Sequence, residues 1–211
     1  MSYPYSTYTD LQTAVKDWMD RTPGLVGVSS NADTIPQCIA FAEAFFNRKL
    51  RCREMVASTT LNPVSGSASL PSDFLQVVDV IYTGTPVDSL EELDDALFEK
   101  TFGDPNNTGP PKAYLIRGST LLIGPTSSTA LTLVYYQKIP PLASNSTNWL
   151  LSAHSDLYLF GALTEAEAFT EDANAAVLWK QRRDEVLDEV WRSGQFYRGP
   201  AQTLRVTGAT P

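Results

Sequence analysis

Four carboxylates crowd one short stretch, Glu165, Glu167, Glu171 and Asp172. Paired carboxylates are what glycoside hydrolysis needs, one as acid and one as base or nucleophile. Glu165 and Glu167 stand two residues apart in a helical pattern, however, and so point in different directions. A solvated face near a helix end is the plainer reading. The single histidine, His154, lies on an apolar stripe with Asp156 two residues on. No serine or cysteine sits in an elbow context such as G-x-S-x-G, so a buried or subunit-facing histidine is expected. No glycine-rich phosphate loop, P-loop or dinucleotide fingerprint occurs. Cys38 and Cys52 read as members of one helical run, which separates them by about 21 Å at about 1.5 Å per residue. A disulfide needs Cα atoms within about 7 Å, and two cysteines with one histidine are too few for a conventional zinc site. Buried free thiols follow, and the sequence predicts no catalytic residue, no cofactor and no metal.

The elements that would position these groups follow from periodicity. From Asn148 to Gly194 two helical patterns run back to back. In the first, Leu151, His154, Leu157, Tyr158, Ala162, Ala166 and Phe169 recur at three- and four-residue steps, with a small-residue groove at Gly161 and Ala162. In the second, Ala176, Leu178 or Trp179, Arg182, Val186, Val190 and Trp191 repeat the period, and Ser193-Gly194 reads as a glycine cap. Residues 170–174 break between them, giving a helical hairpin. Upstream, a helix over residues 9–21 starts at Thr9 with Gln12 completing a capping box. Its stripe is Leu11, Ala14, Val15 and Trp18; Thr22-Pro23-Gly24 ends it, and residues 25–33 read as a loop. A second helix over residues 35–56 is capped by Asp33 or Thr34 with Pro36 in its first turn. Its buried side is Ile35, Ile39, Ala42, Phe46, Leu50 and Arg53, widened by Phe41 and Phe45.

After Met55 the composition changes. Serine, threonine, proline and glycine dominate from Ser58 to Ser69, and the spacing then turns strand-like. Residues 77–82, 114–116, 121–123 and 131–136 read as strands, with a hairpin at residues 117–120. Leu90 to Phe98 reads as a short amphipathic helix with four carboxylates outside, and residues 103–111 as a loop. The expected fold class is α+β. An antiparallel helical bundle of about four helices comes from residues 1–57 and 142–193. A small, mostly antiparallel β-subdomain with one short helix is inserted at residues 58–141, and residues 194–211 form an extended C-terminal arm.

The arm differs from the rest of the chain. It carries Arg198 and Arg205 and no acid, two prolines among small residues, and the pair Phe196-Tyr197. Such a segment cannot bury enough of itself to fold alone. A frayed terminus is one reading. The other is a binding arm, because isolated aromatic, leucine and arginine anchors dominate interface energies, and Leu204, Val206 and Thr207 alternate with Arg205 as an added strand requires. The anchors would be Phe196, Tyr197, Arg198, Leu204, Arg205 and Val206.

Composition bounds the function. A chain of 211 residues with 43% hydrophobic content buries a real core without external staples. A formal net charge of −8 argues against a nucleic-acid binder, which needs clustered Lys and Arg. The one basic run, Arg48, Lys49, Arg51 and Arg53, is diluted by Glu43 and Glu54. No stretch approaches the 18 or more apolar residues of a membrane span, and MSYPYSTYTD lacks the regions of a signal peptide; a cytoplasmic site of synthesis and no membrane contact are expected.

The phrase N-W-L-L-x-x-H-x-D-L-Y-L-x-x-A-L-x-E-A, from Asn148 to Ala166, resembles the corresponding stretch of tailed-phage head-to-tail adaptor proteins. The same order of pieces occurs elsewhere in the chain. Tyr8, Leu11, Val15, Trp18 and Arg21 come first, then IPxxIxxAExxxNRxLRxREM from Ile35 to Met55, LPxDFL from Leu70 to Leu75, and Tyr135-Tyr136 followed by Ile139-Pro140-Pro141-Leu142. The resemblance covers roughly residues 8 to 192. It implies a homo-oligomeric ring, twelvefold in that family, at the head-tail interface of the virion and assembled in the host cytoplasm. The partners it implies are the portal protein ring above and a tail nozzle or hub protein below, with DNA passing through without sequence-specific binding. It also implies that the C-terminal segment reaches into the portal ring, a role carried onto residues 194–211 by position only, since they lie outside the matching motifs. A tail-completion or tail-hub protein without direct portal contact is a rival, and a cell-wall hydrolase built on Glu165 to Asp172 a more distant one.

Overall fold

The computed structural model describes residues 5–19, 34–104, 106–169 and 173–196. The fold is α+β, with six α-helices and two four-stranded, mainly antiparallel sheets among those residues. The chain divides into two compact units, residues 1–54 with 139–211, and residues 55–138.

In the first unit, helix α1 (Tyr8–Met19) starts from a capping box two residues upstream of the expected one. The Asp10 N–H donates to Thr7 Oγ1 at 3.2 Å and the Thr7 N–H donates to Asp10 Oδ2 at 3.1 Å. A carboxylate at this position is a stronger acceptor than an amide and sits at the positive end of the helix, so the Thr7–Asp10 pair wins over Thr9–Gln12. The expected end of this helix and the loop at residues 25–33 lie outside the described residues.

Helix α2 (Thr34–Lys49) is shorter than the expected run to residue 56. The Arg51 guanidinium turns back and donates from Nη1 to the carbonyls of Asn47 at 2.8 Å and Leu50 at 2.5 Å. Orphan carbonyls at the helix end are thereby satisfied by a side chain, and a 3₁₀ turn, Arg53–Met55, follows. Cys52 therefore does not share a helix with Cys38, and the spacing argument against a disulfide loses its premise. Both cysteines are nonetheless free and buried. Ile39, Ala42, Phe46 and Leu50 are buried as expected, whereas Arg53 is exposed and Phe41 is 60% exposed. Phe41 stands about 200° around the helix from Ile39, on the solvent side.

The first half of the expected hairpin is two helices, α3 belonging to the other unit: α4 (Trp149–Ala153) and α5 (Ser155–Phe169). His154 separates them, half-buried, with φ −141° and ψ 61°. It is thus a helix terminus and not part of a continuous stripe. Asp156 accepts from the Leu157 N–H at 3.0 Å, so the first turn of α5 brings its own acceptor. Helix α6 (Ala173–Phe196) runs on through Gly194 instead of stopping there. Gly194 serves close approach, because a methyl on its Cα would come within 2.9 Å of the Cys52 Cβ. Helix α5 lies along α2 and α6 and also meets α1. Gly161 is the point of closest approach to α2: a methyl there would meet Phe46 Cζ at 2.7 Å and Ala42 Cβ at 3.1 Å. Trp179 stacks on Phe160 at 5.8 Å and receives the edge of Trp18 at 5.3 Å. Leu178 and Arg182, expected on the inner stripe, are exposed, and the buried residue is Arg183.

The second unit holds the strands. One sheet runs β1 (Val56–Leu61), β8 (Leu131–Gln137), β3 (Phe74–Tyr82), β4 (Asp88–Ser89); the other runs β2 (Ser67–Ser69), β7 (Thr120–Gly124), β6 (Ala113–Arg117), β5 (Glu91–Glu92). All pairs are antiparallel except β5 with β6. Leu61, Val80, Leu121, Ile123, Leu131 and Leu133 are among the residues that form the common core of both sheets. The expected hairpin turn is present, with Gly118 at φ +64°. Two strands escaped the sequence reading, β1 and β2, and one helix shifted. Helix α3 spans Asp95–Phe102, capped by the Asp94 carboxylate on the Leu97 N–H at 2.8 Å, while Glu91 and Glu92, placed in that helix by periodicity, are β5. An Asp at the N-cap outweighs the extra turn that Leu90 and Leu93 would have supplied.

Candidate assembly site

The resemblance-bearing pieces meet in one buried polar cluster of the first unit. Glu43 and Asn47 stand one turn apart on α2 and face the segment Ile139–Leu142. Glu43 Oε1 accepts from the Leu142 N–H at 2.8 Å and Asn47 Oδ1 from the Ile139 N–H at 2.9 Å. Two prolines in that segment leave these two N–H groups with no regular element to pair with, and the α2 side chains supply the acceptors. Asn148 completes the cluster. Its Oδ1 caps α4 on the Leu151 N–H at 2.9 Å, and its Nδ2 donates to the Pro140 carbonyl at 2.8 Å and to Tyr158 Oη at 2.7 Å. The Tyr158 hydroxyl in turn donates to Glu43 Oε1 at 3.3 Å.

Glu43 is 7% exposed and Tyr158 fully buried. Burial raises the Glu43 carboxyl above the usual carboxylate range, and the Leu142 and Tyr158 donors pull it partly back. Burial, and then the nearby Glu43 charge, pushes the Tyr158 phenol far above its ordinary value. Such a cluster is closed to substrate and fully satisfied, since no buried side-chain nitrogen or oxygen among the described residues lacks a partner. It fixes backbone. In the second unit LPxDFL does the same: Asp73 accepts from the Tyr135 hydroxyl at 3.1 Å, and Phe74 stacks on Tyr135 at 5.8 Å.

The carboxylate group of the hydrolase reading does not assemble. Glu165 is half-buried and Glu167 is 4% exposed, on different sides of α5, and Glu171 and Asp172 lie outside the described residues. The charge of Glu165, after burial itself, helps push the Cys38 thiol up to about 11. No group of three or more His, Cys, Asp or Glu among the described residues is placed to hold a metal ion, and no helix among them is long and apolar enough to cross a membrane.

Surface chemistry gathers on α6. Val177, Leu178 and Trp191 are 65%, 50% and 45% exposed. A shallow groove along the helix is lined by Val177, Lys180, Gln181, Asp184, Glu185 and Asp188. The buried side is held by Val190 and by Arg183, whose guanidinium lies 3.9 Å over the Phe45 ring while pairing with Asp184 at 2.8 Å. The helix delivers Phe196 as its last described residue. The remaining expected anchors, Tyr197, Arg198, Leu204, Arg205 and Val206, lie outside the described residues. The sequence reading had missed the roles of Glu43, Asn47 and Tyr158, although all three stand inside the phrases that carry the resemblance. A carboxylate and an amide four residues apart on an otherwise apolar helix face were the available signal.

Comparison with curated proteins returns no match. The family model of the SU10 adaptor protein matches residues 6–206, a span that includes every one of the motif pieces described above. The chain therefore belongs to the SU10 adaptor protein family, structural phage proteins that act as head-to-tail adaptors.

Proposed function

We propose that the protein is a head-completion adaptor that forms a ring under the phage portal, joins it to the tail nozzle or hub protein, and leaves a channel through which DNA passes without sequence-specific contact. The family match over residues 6–206 carries this reading. The ring is a closed homo-oligomer of about 12 copies, the number the resemblance implies, built on one repeated heterologous contact. The helical core of residues 1–57 and 142–193, an antiparallel bundle in this reading, forms the body. The β-rich insertion of residues 58–141 projects from it, and the arm from residue 194 reaches the portal through Phe196, Tyr197, Arg198, Leu204, Arg205 and Val206. The mechanism is assembly and not catalysis, at the head-tail interface of a virion put together in the host cytoplasm. Exposed Val177, Leu178 and Trp191 support an assembly surface on α6. The net charge of −8 supports a carboxylate-rich lumen that repels DNA and lets it slide.

The test mixes the purified portal ring with the full chain and with a chain ending at Phe196, which keeps α6 and its Gly194 contact intact. Sedimentation should show the full chain on the portal and at least a tenfold loss for the shortened one, and imaging should show a ring. Equal binding by the shortened chain would remove the arm from the interface and favour the tail-hub reading. A basic channel wall in the imaged ring would refute the electrostatic part.

A further inference from the structure

Strand β1 has a single partner. It pairs with β8 in unbroken register from Val56↔Tyr136 to Leu61↔Leu131, and the sheet order leaves its other edge without a strand among the described residues. Native sheets blunt such edges with bulges, prolines, charges or short strands, because an open row of N–H and C=O groups accepts any passing strand. The far side of the same sheet obeys this. Strand β3 carries register shifts at Phe74/Gln76 and Val77/Asp79, a charge at Asp79, and β4 across its end. Strand β1 has none of these protections: Val-Ala-Ser-Thr-Thr-Leu is regular, uncharged and free of proline. An edge of this kind is a template for β-addition.

The chain contains a segment that fits it. Thr203-Leu204-Arg205-Val206-Thr207 is rich in β-branched residues and holds no glycine, proline or acid. It is also close at hand. Gly194, in the last turns of α6, lies against Cys52, and Val56 follows Cys52 by only four residues, at most about 14 Å of extended chain. Residues 197–202 span about 20 Å when extended, enough to carry Thr203 to either end of β1.

We propose that residues 203–207 of the same chain add to the free edge of β1 as a fifth strand of this sheet. The occupied edge no longer offers itself to foreign strands, and Leu204, Arg205 and Val206 are held in reserve. Only the consequence rests on the portal reading: portal docking and the parked arm are mutually exclusive, so release of the arm becomes a step of assembly.

Amide hydrogen exchange on the free protein tests this without any portal present. Every second amide of β1 faces away from β8. Those amides should exchange at least tenfold more slowly in the full chain than in a chain ending at Phe196, and Val206→Pro, which removes a donor from the added strand, should match the truncation. Amides of β1 that face β8 should be unchanged in all three, which shows that the sheet remains folded. Equally fast exchange of the outward amides in the full and shortened chains overturns the proposal. Protection that fades on dilution also overturns it, by assigning the edge to a second copy. Because the portal is absent, a failure here leaves the portal reading untouched, and the converse holds.

Discussion

Replacing Glu43 separates hydrogen bonding from charge in the buried cluster. Glu43→Ala strips the acceptor from two buried donors, the Leu142 N–H at 2.8 Å and the Tyr158 hydroxyl at 3.3 Å. Each buried donor left unpaired costs about 1–3 kcal/mol, so the loss is about 2–6 kcal/mol before relief of burying the carboxylate is counted. Glu43→Gln keeps a carbonyl acceptor and nearly the same shape and should cost about 1 kcal/mol. Urea unfolding followed by tryptophan emission reads the right part of the molecule, since Trp18, Trp149, Trp179 and Trp191 all belong to residues 1–54 and 139–211. The pH dependence has a definite sign. The folded Glu43 carboxyl titrates above its ordinary 4.5, so between that value and the raised one the folded state binds more protons than the unfolded state. Its contribution to stability is fully present below about pH 4.5 and is lost as pH rises through the raised value. Glu43→Gln lacks this step, and the advantage of the native chain over it should shrink as pH rises through that window. A difference between the two that stays flat across the window, or Glu43→Ala unfolding at the native urea midpoint, would refute the account.

Other positions give simpler tests. Gly161→Ala should destabilise by about 1–3 kcal/mol, read as a lowered thermal midpoint, because its methyl drives against the fully buried Phe46. Gly194→Ala returns up to about 1 kcal/mol of helix propensity yet should still be net destabilising, since Cys52 Cβ and Cα stand 2.9 and 3.3 Å from the added methyl; a raised midpoint would show that the contact yields. Cys38 and Cys52 should both resist a thiol reagent at pH 8 in the folded chain and both react in urea, because each is buried and the Cys38 thiol is pushed up to about 11.

Much of the fold was legible because its helices are amphipathic and its inner strands apolar. Residues 131–136 and 121–123 alternate or run apolar as buried strands do, and they are β8 and β7. What escaped was decided by single side-chain contacts or by exposure. The spacing of Leu50 and Arg53 continues a helix beyond Lys49, but Arg51 folding back on the Asn47 and Leu50 carbonyls ends it. Strand β1 reads as a polar linker because only Leu61 is buried along it, and an edge strand bears little of the alternation that marks a central one. The buried cluster was hidden for a different reason: Glu43 and Leu142 are 99 residues apart in sequence, and nothing local announces that one will cap the other. The arm's proposed anchors rest on residue type and position, which no pattern of periodicity can supply.

The pairing Val56↔Tyr136 bears on how such a chain can change over time. The backbone enters the second unit on β1 and leaves it on β8, neighbouring strands whose paired residues sit about 5 Å apart. The unit is therefore spliced in at one doorway. Lengthening, trimming or exchanging what lies between those strands leaves the two ends where they were, and even doubling the enclosed chain adds only about 0.6 kcal/mol of closure entropy. The helical unit can keep its sequence while the β-rich unit is rewritten to suit a different neighbour.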